Sequence, residues 1–219
     1  MTQADLPRWG GITEPMTVFT NIVLSVVAFF LGGRLAYLSA LAGSASGASI
    51  AGALVATSFA ALMGAFAHGI DPTIDPGLRT RFWRGALYAT GPIGAMTLAS
   101  VAFFAARDTI RTAILVVAAL KLLVFIVRVG RRPEFRVAAA DYGGALFILL
   151  LGAAYAAFRW RAAGVVWLIG GVLVSLVAAV VQARRVGFHR HFNHNDFYHV
   201  IQLAALYAFY RGGSVLVDR

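Results

Sequence analysis

Seven long apolar stretches, separated by short arginine-bearing loops, constrain this chain more than any other feature. They run at roughly 16–38, 48–69, 83–106, 109–129, 136–158, 162–183 and 196–211. A helix needs about 20 apolar residues to cross the hydrocarbon core of a bilayer. Seven such spans use about 140 residues of the 219, which leaves short loops and no room for a sizeable domain outside the membrane. The expected fold is therefore all-α, an integral membrane seven-helix bundle forming a single domain over residues 1–219. Composition points the same way. Charged residues make up 13% of the chain, against about 25% in an ordinary soluble domain, so there is too little polar surface to cover a soluble core.

The chain has no cysteine. Disulfides, thiolate nucleophiles, Cys-type zinc sites and iron–sulfur clusters are excluded. The net charge of +10 comes from arginines and one lysine, Lys121. In a soluble protein that charge would suggest nucleic acid. Here the arginines lie between apolar runs, so the expected contacts are lipid headgroups, with no nucleic-acid partner. The N-terminal residues, Met1 to Thr13, lack the charged-then-apolar pattern of a cleaved signal. Residues 30–54 and 143–171 are rich in Gly, Ala and Ser, which lets helix backbones approach closely in lipid.

Seven spans put the two termini on opposite sides. On the N-terminal side, called side A, fall Arg8, the group Arg79, Arg81 and Arg84, the group Arg128, Arg131, Arg132 and Arg136, and the group Arg184, Arg185 and Arg190. Side B carries Arg34, Arg107, Arg111, Arg159, Arg161, Arg211 and Arg219. The excess on side A predicts that it faces the cytoplasm. Abundant Ala, Gly and Arg with almost no Lys suggests a GC-rich bacterial genome, and hence the bacterial inner membrane.

All five histidines collect on side A. His68 ends the second stretch, and His189, His191, His194 and His199 lie just before or within the first turns of the seventh. Side A also receives Glu14, Asn21, Asp71 and Asp75. Ionisable groups near the apolar zone are costly without partners, so a shared site for His68 and His199 is expected. Imidazole and carboxylate are good zinc ligands, and catalytic zinc takes three protein ligands and keeps one position open. The third ligand would be His194 or Asp196. Asp196 and His199 share a helix face, as do Asn195 and His199. His194 is five residues from His199, about 140° round a helix, and joins it only if the helix starts after His194. Alternatively, Asn195 or Asp196 caps the seventh span. Asp71 and Asp75 precede prolines and suit loop turns, with Asp71 the candidate ligand or general base because it is nearer His68.

Thr13-Glu14-Pro15 is a helix-start signature with Thr as the cap. Asn21 lies two turns into the first span and needs a partner. Glu14 and Asn21 are seven residues apart and can brace a metal site from one helix face. Asp141 and Lys121, inside spans five and four, are expected to pair. The seventh span has no lysine, which disfavours a retinal Schiff base. A haem bundle carrying electrons across the bilayer needs histidines at both depths, and side B has none.

With these residues in place, the chain resembles the CREST superfamily, which joins alkaline ceramidases and the progestin and adiponectin receptors. Glu14 followed seven residues later by Asn21 matches the start of the ceramidases' first span. His68 matches the His closing span two, and His194-Asn195-Asp196-Phe197-Tyr198-His199 falls at the His-rich opening of span seven. The resemblance implies zinc held by one His of span two and two of span seven, with activated water attacking an amide carbonyl of a membrane lipid. Three positions depart from the family. Gly64 stands where a Ser usually precedes the span-two His by four residues. Asn195 stands where the span-seven pair would have its first His. The acidic calcium loop is missing, with only Asp5 and Trp9 of its pattern before Glu14, so calcium is not expected. The leading expectation is a zinc-dependent hydrolase cleaving an amide or ester of a lipid, with Asp71 or Asp196 as catalytic base, His68, His194 and His199 at the metal, and Glu14, Asn21 and Asn195 in support. A receptor or assembly protein without turnover, and a small transporter, are the alternatives. Gly91-Pro92 could break span three, as a transporter requires, but no matching break occurs elsewhere in the sequence.

Overall fold

The computed structural model describes residues 8–189 and 191–219. Asp5 and Arg190 lie outside the described residues. Seven α-helices follow a small hairpin: α1 (Pro15–Ala42), α2 (Ala45–Gly69), α3 (Pro76–Ala105), α4 (Asp108–Arg131), α5 (Phe135–Trp160), α6 (Val165–Ala183) and α7 (His194–Gly213). The first six are long and apolar enough to cross a membrane.

Helix ends follow local chemistry. The Ser44 side chain caps α2 by accepting from the Gly47 N–H, and Asp75 caps α3 by accepting from the Leu78 N–H. Pro76 then occupies the first turn of α3, where a missing N–H costs nothing. This cap starts α3 about two turns before the apolar stretch at 83, so Arg79, Arg81 and Arg84 are helical and not in a loop. The hairpin pairs β1 (Arg8–Trp9) with β2 (Ile12–Thr13). Its turn residues, Gly10 and Gly11, both have positive φ, as a tight two-residue hairpin turn requires.

Helices α1, α2, α3, α5, α6 and α7 pack in a closed ring, with α7 returning to α1. One apolar core runs through all six, from Leu24 and Leu54 to Phe104, Leu149, Leu168 and Phe209. Helix α4 stands outside the ring against α3 and α5. Only 11% of its most apolar window is buried, so its apolar side chains face outward. Phe125 and Val129 hold it to Leu87 of α3 and Ala138 of α5. Lys121 donates to Asp141 at 2.6 Å, joining α4 to α5 beside Gly94 of α3, where a side chain would collide with both charged groups. Across the side B end, the Asp218 carboxylate accepts from the Ala45 and Ser46 N–H groups, which uses the positive end of α2.

Candidate functional site

The polar side chains of side A converge where α1, α2 and α7 meet, and three local structures put them there. The first is the hairpin. It ends at Thr13, whose hydroxyl donates to the His68 carbonyl at 2.6 Å. Thr13 is thus not the helix cap that the sequence predicts. Glu14 occupies the cap position with a left-handed backbone, φ 45°, and no side-chain cap bond. A residue before proline is kept from the right-handed helical region, and here the left-handed one swings the Glu14 side chain onto α2. Its Oε2 accepts from His68 Nδ1 at 2.7 Å, with an Arg79 guanidinium nitrogen 4.0 Å away. Burial opposes ionisation of Glu14, but the His68 hydrogen bond and the positive fields of His68 and Arg79 prevail and hold its carboxyl below the usual range.

The second is the start of α7. Asn193 is the cap, and the helix begins at His194. Asn193 and Asp196 form a capping box: Asp196 Oδ2 accepts from the Asn193 N–H at 2.7 Å. The expected caps, Asn195 and Asp196, are therefore corrected to Asn193, with Asp196 as its partner one turn on. Because His194 is already helical, it and His199 project about 140° apart, and a site shared through a later helix start does not form. His194 nevertheless lies close enough to feel the charges of Asp196, Glu14 and His68. Asn195 Oδ1 accepts from Gln182 of α6 at 2.7 Å.

The third is a polar stripe on α1. Thr17, Thr20 and Asn21 are all buried. Thr20 Oγ1 lies 3.0 Å from His199 Nδ1 and donates to Asp196 Oδ1 at 3.3 Å. A hydroxyl has one proton to donate. With that proton on the carboxylate, or on the Thr17 carbonyl, which also lies 3.3 Å away, His199 Nδ1–H donates to Thr20, and a neutral ring presents Nε2 as a lone pair. His68 Nδ1–H donates to the Glu14 carboxylate, which can only accept. Both imidazoles are thereby held by α1 at Nδ1 and present Nε2. Thr20 and Thr17 escaped the sequence reading. Their signal was the spacing 13, 17, 20 and 21, a polar face at helical period within an apolar run.

The other candidates lie at the margin. Asp71 Oδ1 accepts from the Thr73 N–H and hydroxyl, and Oδ2 pairs with Arg8 at 2.9 Å. These contacts, Thr73 foremost, hold its carboxyl below the ordinary range and tie down the α2–α3 loop. Asn21 donates to the Thr17 carbonyl and does not meet Glu14. Its Oδ1 sits 3.1 Å from where a Cβ on Gly64 would be. The amide of α1 thus occupies the space a serine at 64 would take. His189 and His191 lie in the α6–α7 loop with their rings 5.3 Å apart, exposed and away from Thr20.

Among the described residues, no three His, Asp or Glu side chains form a ready-made metal cage. The donors fit zinc in chemistry: two imidazoles, each backed at Nδ1 by an oxygen, as metal-binding histidines usually are.

No curated protein and no solved structure matches the chain. A family model covers nearly all of it, residues 16–218, and the chain belongs to that family, a family of unknown function (DUF6962).

Proposed function

We propose that this protein is a seven-span, zinc-dependent membrane hydrolase that cleaves an amide or ester bond of a lipid entering from the bilayer. The observation that carries the reading is the paired anchoring of His68 Nδ1 on Glu14 and His199 Nδ1 on Thr20, which leaves two Nε2 atoms as donors on neighbouring helices. His194 or Asp196 supplies the third. Asp196 commits its oxygens to Thr20 and to the Asn193 N–H, and His194 projects about 140° from His199, so either has to turn toward the two imidazoles to complete the set. Bound there, zinc supplies Lewis acidity, polarising a carbonyl and making water acidic enough to attack near neutral pH. Glu14 orients His68, and Thr20 orients His199. Arg79 places positive charge beside Glu14, where it favours the ionised carboxylate that orients His68. The resemblance to the CREST superfamily supports the same reading. In it α7 is the seventh span, and the arginine excess of side A puts the N-terminus and the histidines on the cytoplasmic face of a bacterial inner membrane.

The test is release of fatty acid from mixed membrane lipids by zinc-loaded protein, with His199→Ala as control. Release that depends on His199 supports the proposal. Metal-loaded protein that releases nothing sinks it in favour of a second reading, a receptor or assembly protein that keeps the polar cluster without turnover. One observation favours that second reading. Asp71, Asp196 and Glu14 are all engaged in ion pairs or hydrogen bonds, so none stands by as a free general base.

A further inference from the structure

A small cavity lies inside the ring between α2, α3, α5 and α7, remote from the histidines. Its volume is about 30 Å³, and its polar lining is Thr57, Thr97, Ser100 and Tyr142 among aliphatic neighbours. A water site needs about 10–15 Å³ and two to four polar partners. The cavity has the room, and its hydroxyls have a particular balance. Thr57 donates to the Ala53 carbonyl and Thr97 to the Ile93 carbonyl. Both threonine hydroxyls have given away their protons and offer the cavity lone pairs only. Ser100 is the reverse case. It is fully buried, and its Oγ has no hydrogen-bond partner. A buried hydroxyl without a partner is expensive, the more so within a membrane.

We propose that this cavity is a binding site for internal water, which accepts the Ser100 proton and donates its own two to the oxygens of Thr57, Thr97 or Tyr142. That pattern gives the water three hydrogen bonds, the usual number for a buried one, and satisfies the orphaned serine. The inference does not depend on metal at the histidines.

The test is a density map of the purified wild-type protein in lipid nanodiscs, at a resolution that shows ordered water, together with xenon loading of the same cavity. The expected result is a peak within hydrogen-bond distance of Ser100 Oγ and of at least one of Thr57, Thr97 and Tyr142, with no xenon, because dry apolar cavities take xenon and hydrated polar ones do not. An empty cavity that fills with xenon overturns the proposal. Ser100→Ala gives an independent sign. It lowers Tm if it strips a partner from bound water, and raises Tm if it merely deletes an unsatisfied hydroxyl from a dry space.

Discussion

Thr20→Val is the most informative single change at the side A site. Valine keeps the β-branched shape of threonine and fits the same helix position, so the perturbation is the loss of one hydroxyl. That hydroxyl serves Asp196 Oδ1 at 3.3 Å and His199 Nδ1 at 3.0 Å. Asp196 is 0% exposed, so no solvent replaces the lost donor. Leaving a buried polar group unsatisfied costs about 1–3 kcal/mol. Taking about 2 kcal/mol for the pair of orphaned atoms, the expected loss is roughly 4–8 °C in Tm for a chain of this length. The second effect is chemical. Without the Thr20 oxygen to receive Nδ1–H, the His199 tautomer is no longer fixed, and nitrogen NMR of labelled histidine should show a mixed population in place of Nδ1–H alone. Thr20→Ser, which keeps the hydroxyl, should restore the tautomer and most of the stability. A valine variant with unchanged Tm and an unchanged His199 tautomer would refute the relay from Asp196 through Thr20 to His199.

Replacing Lys121 by Met, or Asp141 by Leu, leaves the other charge partly buried without its partner and should cost about 3 kcal/mol, the low end for a broken buried pair, in equilibrium unfolding. The double variant should recover most of that loss, and a double variant as unstable as the sum of the singles would contradict the pairing. Gly64→Ala should lower Tm, because crowding of the Asn21 amide, at about 1–3 kcal/mol, outweighs the gain of about 1 kcal/mol from alanine's helix propensity. Adding Asn21→Ala should reverse the loss. Glu14 has a depressed folded-state pKa, so its contribution is present above the ordinary value of 4.5 and is lost as pH falls through the lower folded value. Tm should therefore fall more steeply in acid for the wild type than for Glu14→Gln, and parallel acid profiles would rule that contribution out.

Much of the helical layout was legible because hydropathy and caps are local. The apolar runs starting at 48 and 109 begin within a turn of the helices that form, and the run ending at 183 closes with α6 itself. The pairing of Lys121 with Asp141 was legible because sequence-adjacent antiparallel helices have to be neighbours. The exclusion of α4 from the ring was not, since it depends on contacts between α3 and α5 and between α7 and α1, which no periodicity encodes. At the site, His68, His199 and Glu14 stood out as charges near an apolar zone. Thr20 did not, because a threonine in a spanning helix usually bonds its own backbone. The start of α7 was misplaced by two to three residues because Asn193, Asn195 and Asp196 are all good caps, and only the reciprocal bond from the Asn193 N–H to Asp196 distinguishes them.

Zinc content is the most direct probe of the proposed site. Wild-type protein, His68→Ala and His199→Ala are purified in the same detergent, shown to be equally folded, and assayed for bound metal by elemental analysis. Stoichiometric zinc in the wild type and its loss from both variants is the predicted result. Equal metal in all three, or none in the wild type after zinc loading, would contradict a shared site built on these two imidazoles.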